Sequence, residues 1–125
     1  MGRRKVRNYN LREYYKTLFD DYFRQNMPRV IEETCKRLGF DSFDDLHSAE
    51  MHMRFGLDCG WIRIYPTNDA QRREWRLDGC CGDDGMTIHP VGYNPQSVTV
   101  KNEMVEIMLR DLGLRDDFYV SERLD

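Results

Sequence analysis

An apolar stripe in the first third of the chain limits the accessible folds more than any other feature. Its side chains recur at steps of three and four residues, the period of one helix face: Leu11, Tyr14, Tyr15, Leu18, Phe19, Tyr22, Phe23, Met27, Val30, Ile31, Cys35 and Leu38. Pro28 interrupts the stripe without shifting its phase, although proline removes a helical hydrogen bond. The pattern predicts one kinked helix, or two abutting helices with Asn26 capping the second, and Gly39 as the stop.

Two further helices are indicated by their ends and by their apolar spacing. Ser42 can cap a helix whose first turn carries Asp44 and Asp45, as the helix dipole favours. Residues 101–112 form the other pattern, ended by Gly113, with an apolar stripe of Met104, Val105, Met108 and Leu112.

Between these helical segments the apolar period changes to two, which is typical of strands. We expect strands at residues 61–65, 74–77 and 86–89, with shorter candidates at 97–100 and 118–120. In the second of these, Trp75 and Leu77 would both face the core. The sequence thus predicts a two-layer α+β fold. It has an N-terminal helical pair or kinked helix, a second helix, a short antiparallel sheet of three to four strands, and a C-terminal helix.

Length and charge indicate one domain with a basic arm. The chain has 125 residues and a net charge of −3, and we assign residues 10–125 to a single α+β domain. Residues 1–9 would form a flexible arm that carries Arg3, Arg4, Lys5 and Arg7. Such an arm suits contact with nucleic acid or with an acidic partner, and the alternative is a solvated, frayed terminus.

The sequence gives no sign of membrane insertion or secretion. Its apolar runs fall short of the roughly 18 residues that a membrane span needs, and the basic N-terminus is not followed by the apolar stretch of a secretory signal. Two of the four cysteines are adjacent. These features favour reduced thiols and a cytoplasmic location, without a membrane partner.

Three interpretations compete for the glycine-rich stretch around residues 77–85. Cys59, Cys80, Cys81 and His89 are a plausible zinc ligand set by type, although adjacent ligands depart from the usual spacing. Alternatively, Cys80 or Cys81 is a nucleophile that His89 activates, with an aspartate of the same turn orienting the imidazole. The third interpretation, which we favour, is a tight turn with one cysteine in the core and no cofactor.

One face of the sheet collects aromatic and arginine side chains. If Ile62 and Ile64 face the helices, Trp61, Arg63 and Tyr65 stand on the opposite side, and Arg76 lies on the neighbouring strand. Such residues stack bases in several RNA-binding folds, and they are also enriched where proteins bind proteins. In the remaining alternative the chain's tail or last helix covers this face, and Trp61 is part of the core.

These observations favour a non-enzymatic, macromolecule-binding protein whose partner is another protein. A compact, charge-rich chain of this kind suits a phage- or plasmid-encoded inhibitor, and a homodimer is compatible with it. The second hypothesis is a nucleic-acid-binding protein that uses the basic arm together with Arg63, Tyr65 and Arg76. The third is a small Cys/His metal protein or thiol enzyme.

Overall fold

The computed structural model describes residues 11–52, 58–78 and 82–124. Within these ranges the chain forms four helices: α1 (Leu11–Leu38), α2 (Phe43–Met51), α3 (Asp69–Asp78) and α4 (Val98–Asp111). It also forms three strands: β1 (Gly60–Pro66), β2 (Met86–Ile88) and β3 (Phe118–Leu124). The predicted α+β class is confirmed. The predicted arm at residues 1–9 lies outside the described residues, and the domain boundary at residue 10 stays a prediction.

Helix α1 runs without a break through Pro28, which confirms the single-helix alternative. Pro28 has no amide hydrogen to donate to the Arg24 carbonyl, four residues earlier. Both residues are exposed, so this carbonyl lies on the surface side of the helix rather than in the core. Asn26 does not cap a second helix, because its side-chain amide donates to the Tyr22 carbonyl at 2.8 Å. The stripe buries Phe23 and Val30 completely, so it anchors α1 to the rest of the fold.

The end of α1 lies where the sequence predicts it. Gly39 has a positive φ of 83°, a conformation that glycine adopts at little cost. The Phe40 amide donates to the Cys35 carbonyl at 2.8 Å, and the Gly39 amide donates to the Lys36 carbonyl at 3.4 Å. This is the Schellman pattern of a helix C-terminus.

The three strands form one antiparallel sheet in the order β2–β1–β3. Ile62 pairs with Ile88 on one side and with Glu122 on the other. The inner face of the sheet packs against α1 and α4 and is fully or nearly fully buried at Ile62, Ile64, Met86, Ile88 and Phe118. The sheet is therefore one layer and the long helices are the other, as predicted.

The predicted strand at residues 74–77 is wrong, because these residues belong to helix α3. Asn68 begins that helix: its side-chain oxygen accepts from the Gln71 amide at 2.9 Å. Trp75 and Leu77 are two residues apart, which in a helix places them about 200° apart around the axis. Trp75 is accordingly 0% exposed and Leu77 85% exposed, so only Trp75 is in the core.

The candidate strand at residues 97–100 is wrong as well. Ser97 caps α4, and its hydroxyl accepts from the Val100 amide at 3.3 Å. Asp58 adds a second acceptor, since its Oδ2 receives the Ser97 hydroxyl at 2.7 Å and the Thr99 amide at 2.9 Å. These bonds satisfy amides that a helix start leaves unpaired, so α4 begins at Val98 rather than at residue 101.

An ion-pair network joins α1 to α4. Asp111 accepts hydrogen bonds from the Tyr22 hydroxyl at 2.5 Å and from Arg29 at 2.9 Å. Arg110 bridges Asp111 and Glu33, at 2.9 Å to each. Burial alone would raise the pKa of Asp111, but the hydrogen bonds from Tyr22, Arg110 and Arg29 outweigh it and hold that pKa at about 2.

Paired substitutions distinguish the helix at residues 69–78 from a strand. We expect Trp75→Ala to lower the free energy of unfolding by about 3–5 kcal/mol, because it leaves a large cavity. Leu77→Ala should change it by less than about 0.5 kcal/mol, because this side chain is in solvent. Urea denaturation followed by far-UV circular dichroism measures both. Similar losses at the two positions would contradict the helical assignment.

The Asp111 network predicts an acid-dependent contribution to stability. A folded pKa of about 2 lies below the unfolded value of about 3.9, so the contribution is complete above the unfolded pKa and is lost as the pH falls through the folded one. The wild type should therefore be more stable than Asp111→Asn at pH 6, by about 1 kcal/mol after allowance for solvent screening. That advantage should shrink between pH 4 and pH 2, as thermal unfolding across this range can measure. A constant difference would contradict the assigned pKa.

Candidate functional site

The side of the sheet that faces away from α1 and α4 carries a cluster of aromatic and arginine residues. Alternation along each strand places these side chains together, and we call them the outer sheet face: Trp61, Arg63 and Tyr65 on β1, Thr87 on β2, and Tyr119, Ser121 and Arg123 on β3. The register sets Trp61 opposite Arg123, and Tyr65 opposite Tyr119.

Two tyrosines and two arginines form a stack on this face. The rings of Tyr65 and Tyr119 lie 5.2 Å apart at an interplanar angle of 15°. The guanidinium of Arg63 lies 5.6 Å from the Tyr65 ring centroid, and that of Arg72 on α3 lies 5.2 Å from the Tyr119 centroid. Cations within about 6 Å of an aromatic centroid are attracted to the ring, so the four side chains hold one another in place.

Arg63 is fixed by three further partners. It donates to Asp83 at 2.5 Å, to the Thr87 hydroxyl at 2.8 Å and to the Tyr65 hydroxyl at 3.2 Å. Its side chain is only 17% exposed. Burial opposes the charge on Asp83, but the hydrogen bond from Arg63 and one from the Gly85 amide outweigh burial and lower the pKa of that carboxyl. The pair is therefore ionised, and it orders the turn before β2.

The arginines of α3 form a second ion-pair group beside the face. Asp84 lies 3.1 Å from Arg76 Nη2 and 3.7 Å from Arg72 Nε. Arg72 also donates to the Tyr119 hydroxyl. The prediction that Arg76 lies on a neighbouring strand is wrong, since it stands on α3, where its side chain is 55% exposed. Helix α3 thus adds arginines to the face from one end of the sheet.

Three side chains of the outer sheet face remain available to a partner. Trp61 is 37% exposed and Tyr119 is 43% exposed. Arg123 donates to the Tyr65 hydroxyl at 3.1 Å, and within the described ranges no carboxylate pairs with it. The alternative in which Trp61 belongs to the core is therefore wrong. Among the side chains that these contacts join, four arginines stand against two aspartates: Arg63, Arg72, Arg76 and Arg123 against Asp83 and Asp84.

The sequence located part of this site. Trp61, Arg63 and Tyr65 share one face as predicted, whereas Arg3, Arg4, Lys5 and Arg7 lie outside the described residues. The residues that sequence reasoning missed are Arg72, Tyr119 and Arg123. A signal for the last two was present in the alternation of residues 119, 121 and 123, whereas Arg72 reaches the face only because residues 69–78 are helical.

The cysteine hypotheses stay predictions, because Cys80 and Cys81 lie outside the described residues. Cys59 is half-buried, and its backbone pairs antiparallel with that of Ser97. His89 is exposed just after β2. Across residues 11–52, 58–78 and 82–124, no three His, Cys, Asp or Glu side chains are grouped so that they could hold a metal ion.

Comparisons with protein-family models, with curated proteins and with solved structures found no match for this chain. No relative therefore supplies a function that could be carried over. Among the described residues, no helix is both long enough and apolar enough to cross a membrane.

The close approach of Gly85 to the stack predicts a sharp sensitivity at that position. A Cβ added there would lie 2.5 Å from Tyr65 Cε2 and 2.9 Å from Arg63 Nη2. We expect Gly85→Ala to lower the free energy of unfolding by about 1–3 kcal/mol, because overpacking forces neighbours to move. The cost should fall in a Tyr65→Ala background, where part of the clash is gone, and a double-mutant cycle by urea denaturation measures this coupling. Equal costs in both backgrounds would contradict the contact.

Proposed function

We propose that this chain is a non-enzymatic binding protein that docks an acidic partner protein on its outer sheet face. The observation that carries the proposal is the exposure of Trp61 and Tyr119 beside an excess of arginine, on a sheet whose other face is filled by the core. Tryptophan, tyrosine and arginine are the residues most enriched at the energetic centres of protein interfaces.

Rigidity supports this proposal. Arg63 is held by Asp83, Thr87 and Tyr65, and each ring of the stacked tyrosine pair has a guanidinium group within about 6 Å of its centroid. A side chain that is fixed before binding loses less conformational freedom when a partner arrives. The face can therefore present its exposed aromatic residues without reorganising.

The same stack favours a protein over a nucleic acid. Single-stranded nucleic acids bind aromatic platforms by stacking each base on an open ring face. Here the rings of Tyr65 and Tyr119 stack on each other, and the Arg63 and Arg72 guanidinium groups lie within about 6 Å of their centroids. The net charge of −3 for the whole chain also disfavours strong non-specific binding to phosphates. An acidic protein surface can pair its carboxylates with these arginines and does not need an uncovered ring face on which to stack.

The charge states of Arg63 and Asp83 suit a fixed ion pair. Burial would lower the pKa of Arg63, yet its hydrogen bonds to Asp83 and Tyr65 raise it overall, while the pKa of Asp83 is lowered. Both shifts keep the groups charged near neutral pH. A general acid or base, by contrast, works best with a pKa close to the working pH. The Arg63–Asp83 pair therefore suits a structural role at the face rather than proton transfer.

Site-specific photocrosslinking in cells that produce the protein tests the proposal. We expect benzoylphenylalanine in place of Trp61 to give one discrete adduct with a protein other than a second copy of this chain, as peptide mass spectrometry identifies it. Protease should remove this adduct and nuclease should leave it intact. The same probe in place of Met51, which is 68% exposed on α2, should not give this adduct. Arg123→Glu should reduce the yield at least tenfold, the loss expected when an interface centre contributing about 2 kcal/mol is removed.

A matched charge reversal controls for a general electrostatic effect. Arg24 stands on α1 with a side chain 60% exposed, so Arg24→Glu makes the same change in net charge away from the face. We expect the adduct to persist in this variant. A nuclease-sensitive adduct would favour the nucleic-acid hypothesis instead, and equal loss in Arg24→Glu and Arg123→Glu would contradict docking at this face.

A further inference from the structure

Strand β3 lies at an edge of the sheet and is as long as the central strand. It spans seven residues, Phe118–Leu124, and pairs with β1 along its whole length. In the part of the chain that the structure describes, no strand pairs with its other side. An unpaired edge of this length offers a row of backbone donors and acceptors to another strand.

The hydrogen-bond pattern identifies the backbone groups at the free edge. The Thr67 amide donates to the Asp117 carbonyl at 3.0 Å, one register step beyond the pair Pro66–Phe118. Hydrogen-bonded residues alternate along an antiparallel strand, so Ser121, like Asp117, directs its backbone groups toward β1. Val120 and Glu122 then direct theirs outward.

We propose that β3 pairs antiparallel with β3 of a second copy of this chain, with Ser121 on the two-fold axis, so that two three-stranded sheets become one of six strands. In this register each of the seven residues faces a partner. Val120 of one copy and Glu122 of the other form a hydrogen-bonded pair. The two-fold axis generates the same pair with the two copies exchanged. This inference rests on the free edge and does not depend on the proposed docking function.

The side chains of β3 complement themselves in this register. On the outer sheet face, Tyr119 stands opposite Arg123 of the second copy, twice across the axis, which is a favourable pairing of a cation with an aromatic ring. On the inner face, Leu124 of the second copy stands opposite Phe118. Leu124 is 62% exposed in the single chain, so pairing would remove apolar surface from water.

The groove beside the edge carries charged side chains that the incoming strand would meet. It has a volume of about 690 Å³, lies between α4 and β3, and is lined by Glu106, Arg115 and Glu122 among others. Arg115 makes no ion pair with any residue in the described ranges. Glu122 of the second copy would enter on this side, where Arg115 attracts it while Glu106 and the chain's own Glu122 oppose it. The pairing therefore rests on the backbone edge and on the cross-strand pairs rather than on this charge.

Other symmetric registers are poorer. Moving the axis to residue 122 sets the two Glu122 carboxylates directly opposite each other, which is destabilising. Moving it to Val120 pairs residues 118–122 of the two strands with each other, and sets Arg123 and Leu124 opposite Asp117 and Asp116, which precede β3. The register centred on Ser121 is therefore the one that sequence and edge geometry select together.

Cysteine crosslinking tests the register. Ser121 and its mate would form a non-hydrogen-bonded pair with Cα atoms about 4.5 Å apart, within reach of a disulfide. We expect Ser121→Cys to form a disulfide dimer under mild oxidation, with the 121–121 link identified by peptide mass spectrometry. The matched control is Tyr119→Cys, whose two copies would lie about 13 Å apart, four residues along the strands, and should give no 119–119 link.

Mass measurement of the unmodified chain tests the assembly itself. Sedimentation at about 100 μM should give twice the monomer mass of 15.0 kDa. Glu122→Pro should weaken the dimer at least tenfold, because it removes an outward amide while the β1 ladder keeps its bonds. Glu122→Thr keeps that amide and should remain dimeric. Circular dichroism checks that both variants fold.

Two results would overturn the inference, and neither requires Glu122→Pro to fold. A monomer mass at all concentrations would show that the edge does not pair with itself. A 119–119 link as frequent as the 121–121 link would place the two-fold axis elsewhere. The docking proposal would stand in either case, because its readout is an adduct with a different macromolecule at Trp61.

Discussion

The strict alternation of β1 is the constraint on which the rest of the structure depends. As the central strand, β1 must satisfy two neighbours at once, and a shift of one residue would exchange its two faces. Ile62 and Ile64 are completely buried on the helical side. The same alternation leaves Trp61, Arg63 and Tyr65 on the outer side. The core and the candidate binding surface are thus two consequences of one register, and neither can change without the other.

The outer sheet face keeps its shape because its charged groups form ion pairs and hydrogen bonds and its tyrosine rings stack. A guanidinium that is largely removed from water, as that of Arg63 is, is costly unless it is paired and hydrogen-bonded. Asp83 and Thr87 meet that requirement, and in doing so they bind the turn before β2 to the sheet. Gly85 is then required for steric reasons, because the Tyr65 ring occupies the space of its missing side chain. The packing of this surface and the conformation of the turn at Gly85 therefore depend on each other.

Local patterns were sufficient for the helices that bury a long stripe and for the central strand. The stripe of α1 continues through Pro28. Gly39 ends the helix, as expected of a residue that adopts a positive φ at little cost. The prediction failed at Trp75 and Leu77, where two apolar residues at a spacing of two are too few to separate a strand from a short amphipathic helix. It also missed the contact between Arg72 and Tyr119, which are 47 residues apart in the chain. Such contacts depend on tertiary packing, which a single sequence does not show.

The free edge of β3 and the outer face are physically coupled. Tyr119 belongs to both, since its ring is part of the stack while its neighbour Val120 directs backbone groups to the edge. Proteins commonly protect such an edge with charged side chains or short strands. In β3 the charges of Glu122 and Arg123 are of opposite sign and stand on opposite faces, so they do not repel a second copy in the symmetric register. Pairing would then join two outer faces across one axis, and a partner with two acidic sites would bind such a surface more tightly than either half alone.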